Sequence, residues 1–154
     1  MIENFSLIVL FGLIKEKRNS FTQFFLIGYS YYSFFRNQLM SVAIENLGFS
    51  SREEAIKLAE SGGFFFRDGA MGTGNLEDIH WHKTGLHIYV LSGMFETLDA
   101  IRNEVLVAKC GDLIKIPKNT LHAARCPSPA TYVVGFESEV AAKSFRPELP
   151  ENLP

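Results

Sequence analysis

Apolar and polar positions change rhythm twice along this chain. From residue 64 to 136, short apolar stretches recur at 64–67, 76–83, 86–91, 94–98, 105–108, 113–116, 121–124 and 131–136, with Gly, Asp, Asn and Pro between them. Short strands punctuated in this way predict an all-β sandwich or barrel. Ahead of them the period lengthens. Ser51 and Glu54 form an S-x-x-E capping box, Ile56, Leu58 and Ala59 make a short apolar stripe, and Gly62-Gly63 stops it. One helix of about two to three turns is therefore expected there. After Glu137 the pattern predicts one helical turn over 140–145, and the proline-rich ending RPELPENLP is expected to be an irregular strap or tail.

Residues 1–39 follow neither rhythm. They hold seven of the fourteen Phe and three of the five Tyr, in two apolar runs over 5–14 and 24–35 that KEKR, Asn19 and Ser20 divide. Runs of ten and twelve residues fall short of the roughly 20 that a membrane-spanning helix needs. Met1-Ile2-Glu3-Asn4 also lacks the basic start of a signal peptide. Two readings remain: an interfacial or partner-binding extension, or a segment outside a natural protein whose translation begins at Met40. The second is expected, because bulky aromatics without a helical or strand period build no packed element by themselves. The chain then divides into an extension at 1–39, a short helical lead-in at 40–63, a barrel at 64–138 and a C-terminal strap or tail at 139–154.

At 154 residues the chain suits one core with extensions. Its 15 basic and 17 acidic residues give a net charge of −2 and no basic field, so nucleic acid is not an expected partner and small ligands are. Cys110 and Cys126 are the only cysteines, too few for a disulfide scaffold and not spaced as C-x-x-C. Two buried free thiols in a reducing cytoplasm are expected.

The candidate chemistry lies in three histidines. In a strand, residues two apart share a face, so His80 and His82 would present both imidazoles together while Trp81 faces the other way. His122 would supply a third from a strand at 121–124, folded back by Pro117 and Lys118-Asn119-Thr120 to lie antiparallel to 113–116. Three imidazoles suit one divalent first-row ion such as Fe, Ni, Mn or Zn. Strand parity turns His87 outward with Tyr89, unless a bulge at Gly85 re-aims it. Glu96 is expected at a solvated strand position rather than inward as a base. Trp81 and Tyr89 are expected to pack outside the barrel, where they would favour a homodimer.

Spacing around these residues resembles the cupin superfamily. Gly74, His80, His82 and Gly93 match the first cupin motif, and Gly111, Pro117 and His122 the second, over residues 74–126. Two positions depart from it: Leu86 stands at the metal-binding Glu and Cys126 at the terminal Asn. The resemblance implies a double-stranded β-helix with metal at His80, His82 and His122. Without the carboxylate it shifts toward three-His iron cupins, including dioxygenases. Three neutral imidazoles would leave a divalent ion at +2, more Lewis-acidic and more attractive to an anionic substrate. The alternatives are a barrel that binds or senses a small ligand without turnover, and a metal-free structural barrel whose interior is filled by Leu86, Phe95 and their neighbours.

Overall fold

The computed structural model describes residues 41–154. The expectations for residues 1–39, an extension or a segment preceding the natural start, lie outside the described residues. Among the described residues eight strands are present: β1 (Ala43–Asn46), β2 (Phe65–Met71), β3 (Leu86–Ser92), β4 (Met94–Asp99), β5 (Glu104–Lys109), β6 (Asp112–Ile116), β7 (His122–Arg125) and β8 (Ala130–Phe136). Helix α1 (Arg52–Ser61) lies between β1 and β2, and α2 (Glu139–Ser144) follows β8. The strands form a five-stranded sheet, ordered β1-β6-β3-β8-β2, and a three-stranded sheet, ordered β5-β4-β7, with every pair antiparallel. Between β3 and β8 the chain changes sheet four times, which makes the all-β jelly roll expected from the sequence.

The barrel interior holds Leu86, Ile88 and Val90 from β3, Ile114 and Ile116 from β6, and Phe95 and Phe136. A second apolar layer lies behind the large sheet, where Tyr89, Leu113 and Val133 pack with Phe49, Ala55 and Ala59. This layer explains why β3, LHIYVLS, is apolar at nearly every position: the core covers one face and α1 the other. Ser51 caps α1, its hydroxyl accepting from the Glu54 N–H at 3.2 Å. Glu54 completes the box one residue early, accepting from the Ser50 N–H at 2.8 Å. The face differs from the expected stripe: Ala55 and Ala59 are buried, whereas Leu58 is exposed. Only small residues let the helix lie close to the sheet.

Four expectations are corrected. The lead-in contains strand β1 as well as a helix. Residues 76–83 are not a regular strand but a loop with isolated bridges at Leu76, His80 and Trp81. Residues 122–125 do not pair with 113–116. Both edges of β6 are taken, by β1 and β3, so the chain crosses to the other sheet and β7 pairs with β4. Cys110 is exposed, while Cys126 is buried.

Gly93, between β3 and β4, makes the first change of sheet. It holds φ +77°, and a Cβ there would stand 2.1 Å from the Pro129 carbonyl oxygen. Gly63, after α1, also has φ +77° but has open space around it. Gly63→Ala should therefore cost about 1 kcal/mol from backbone strain alone. Gly93→Ala should cost about 2–4 kcal/mol, because collision with backbone adds to strain. Urea denaturation of both variants checks this, and equal losses would show that the β3–β4 turn relaxes freely.

Candidate metal centre

His80 and His122 arise from separate segments and are joined through their backbones. Each N–H donates to the other's carbonyl at 2.9 Å, a reciprocal pair that fixes the loop against the start of β7. Each ring is then anchored to its own chain two residues back. His80 Nδ1 lies 2.7 Å from the Asp78 carbonyl oxygen, and His122 Nδ1 lies 2.8 Å from that of Thr120. A carbonyl only accepts, so both Nδ1 atoms carry the proton and both Nε2 lone pairs are free. Among the described residues His82 has no such anchor: its Nδ1 is buried without a hydrogen-bond partner. Its ring packs on Phe145 with centroids 4.7 Å apart.

The three rings converge, with centroids 4.7 Å (His80–His82), 4.4 Å (His80–His122) and 4.7 Å (His82–His122) apart. One nitrogen from each lies within 4.8 Å of the others, and all three residues are buried. Two donors about 2.1 Å from a common ion stand roughly 3–4 Å apart, so small side-chain rotations would bring these nitrogens into that range. The chemistry fits as well. Burial first, then the neighbouring His122 and His80, drives the pKa of His82 down to about 2. Burial chiefly lowers that of His122 to about 4, against the Thr120 carbonyl, which raises it. The neutral rings of His82 and His122, the orphaned Nδ1 of His82 and the free Nε2 of His80 together form a group that could hold a metal ion.

Parity survives although the segment is irregular. Trp81 turns away from the two histidines and exchanges backbone hydrogen bonds with Glu148, at 3.1 and 2.9 Å, while its indole N–H donates to the Leu149 carbonyl at 2.9 Å. The expected outer packing thus occurs within the chain, under the strap at 145–149. Tyr89 is likewise covered, 5.9 Å from Phe49 in an edge-to-face contact. Neither aromatic is free for a second copy.

Below the histidines lies a cavity of about 410 Å³, lined by Leu86, Ile88, Phe95, Ile116, Val134 and Phe136, with Phe145 and Leu149 of the strap closing one side. Leu86 and Phe95 therefore line the interior without filling it, against the expectation for a purely structural barrel. Leu86, at the position of the motif glutamate, presents an apolar wall. His87 faces away from the cavity and stacks on Phe64 with centroids 4.0 Å apart. Glu96 is turned outward against Arg125.

Four polar groups that the sequence reading passed over also line the cavity, Glu77, Asp78, Tyr132 and Glu148, of which Tyr132 and Glu77 bear on its chemistry. Tyr132 shares the inward parity of Val134 and Phe136, a signal that strand alternation in β8 already carried. Burial, with smaller contributions from Glu77 and Cys126, raises its phenol pKa. Glu77 lies in the irregular loop, where no periodicity announces it. Its Oε2 stands 3.9 Å from His80 Nε2. Loss of solvent raises its carboxyl pKa, and His80 opposes the shift.

Two antiparallel sheets wound as a jelly roll, with three histidines converging at the cavity, define the class: the described residues have the cupin fold, with Leu86 in place of the motif glutamate. Similar solved structures include DMSP lyase DddQ from Ruegeria pomeroyi DSS-3, 21% identical over 55% of this chain and 42% of that one, with a TM-score of 0.47. They also include a DUF861 family protein from Thermotoga maritima, 19% identical over 62% and 98% of the two chains, TM-score 0.45. A cupin 2 domain-containing protein from Halorhodospira halophila is 16% identical over 72% and 71%, TM-score 0.46. This chain thus spans under half of the lyase, and the fold assignment rests on its own strand order and register. No protein-family model and no curated protein matches the sequence.

The buried histidines generate a pH dependence. Both stay neutral when folded but take up a proton near pH 6.5 when unfolded. In metal-free protein their contribution is complete above pH 6.5. It falls as pH drops toward about 4 for His122 and about 2 for His82, by about 1.4 kcal/mol per pH unit for each. Urea midpoints between about pH 4 and 8 should fall more shallowly for His82→Asn than for the parent. Parallel curves would mean that the His82 ring is solvated.

Proposed function

We propose that this protein holds one divalent metal ion through His80, His82 and His122 and acts on a small molecule with an apolar body bound in the cavity below. The observation that carries the reading is the convergence of three buried imidazoles on one another, centroids 4.4–4.7 Å apart, at the edge of an apolar cavity. Bound there, the ion, whether Fe, Ni, Mn or Zn, would supply Lewis acidity or, as iron, dioxygenase-type chemistry.

The protein's own residues set the rest. Leu86, Ile88 and Phe95 receive the apolar body of the ligand, and Phe145 against His82 keeps water from that side. Among the described residues the Tyr132 hydroxyl forms no hydrogen bond, so the phenol is available to hold or donate a proton to bound ligand. A binding or sensing role without turnover would use the same pocket, and oxygen uptake in the presence of small acids, thiols and diketones separates the two. Among the described residues no helix is long and apolar enough to cross a membrane. A homodimer remains part of the proposal, with its contact on the outer face of β5, where Val105 and Val107 are exposed, rather than at Trp81 or Tyr89.

Elemental analysis of protein purified without tag or added metal should find close to one ion per chain. His82→Ala should lose most of it and His87→Ala should retain it. Equal loss in both variants, or no metal in the parent after anaerobic Fe(II) loading, would reject the reading.

A further inference from the structure

We propose that Glu77 supplies the carboxylate donor that Leu86 cannot, so that the ion is held by three histidines and one glutamate taken from the loop ahead of β3 rather than from β3 itself. The inference rests on the metal-binding reading above.

Several observations lead to it. His80 Nδ1 is occupied by the Asp78 carbonyl, which leaves Nε2 as its free donor atom. Glu77 Oε2 stands 3.9 Å from that nitrogen. A nitrogen and an oxygen bound to one ion at about 2.1 Å each are separated by roughly 3–4 Å, so the two atoms already have a spacing one ion can span. The backbone of Glu77 is fixed, its N–H donating to the Ala124 carbonyl at 2.8 Å, while its side chain is half exposed and free to swing.

Asp78 also lines the cavity, and two further acids are engaged elsewhere. Glu148, also on the cavity wall, is paired with Lys83 and Arg146, and Glu96 with Arg125. Among the described residues the one ion-pair contact of Glu77 is His80. Electrostatics point the same way. A divalent ion on three neutral rings keeps its full charge in a largely apolar surrounding, and one carboxylate halves it. A glutamate three residues ahead of His80 meets that need although the motif position is apolar. It also changes the expected substrate: the site would attract anions less strongly than a three-histidine ion.

The test compares Mn(II) and Co(II) binding to the full chain, by calorimetry and by visible absorption of the Co(II) form, in the parent, Glu77→Gln, Glu96→Gln and His80→Ala. Glu77→Gln should weaken Mn(II) binding by roughly 10- to 100-fold and shift the Co(II) spectrum. Glu96→Gln should match the parent, and His80→Ala should bind neither ion tightly. Parent-like affinity and spectrum in Glu77→Gln, with His80→Ala defective, would overturn the Glu77 assignment and leave the three-histidine site standing. No binding by the parent would overturn both. Circular dichroism melts of each variant separate ligand loss from unfolding.

Discussion

The reciprocal backbone pair between His80 and His122 is the constraint on which the site depends. It is one rung of an antiparallel ladder, yet it joins a loop to the first residue of β7. Because the hydrogen bonds are made by the backbone, both side chains leave the rung already aimed, and each Nδ1–H then locks to a carbonyl two residues back. Little rotamer freedom remains to be lost when a ligand arrives. His82 follows two residues later, its carbonyl accepting from the Asn119 N–H at 2.8 Å, so the turn before β7 is tied to the same loop.

Strand periodicity made most of the barrel legible, since each short apolar run between turn residues except 76–83 became a strand, and the motif glycines marked where the chain must bend. Partnering was much less legible. The hairpin expected for 113–116 and 121–124 failed because β1, hidden in the four residues Ala43–Asn46, occupies the edge that β7 would have needed. A strand this short carries too little alternation to be seen locally. Two-residue parity correctly separated His80 and His82 from Trp81, and His87 from the cavity, even where no regular strand formed. It could not announce Glu77, because a side chain on an irregular loop follows no period.

Coverage was the other property that local pattern could not supply. Trp81 and Tyr89 were legible as facing away from the core, but outward on a strand is not outward on the protein. The strap at 145–149 seals one and α1 the other. Trp81 makes three hydrogen bonds to two consecutive strap residues. The same few residues place Phe145 against His82, so fixing the tail and shielding the cluster are one structural event.

Leu86 sits where these threads meet. As a core residue it is unremarkable, 4% exposed and packed with Ile88 and Phe136. As an occupant of the motif glutamate position it removes a charge that burial would have penalised unless an ion were always present. An apolar residue there leaves no buried charge when the site is empty, whereas a half-exposed carboxylate on the loop can stay hydrated when the site is empty and turn inward when it is filled. Moving the anionic donor from β3 to Glu77 would therefore uncouple folding from metal loading. His82 and His122 already obey that logic, since burial keeps both rings neutral and neither needs an ion to remain buried.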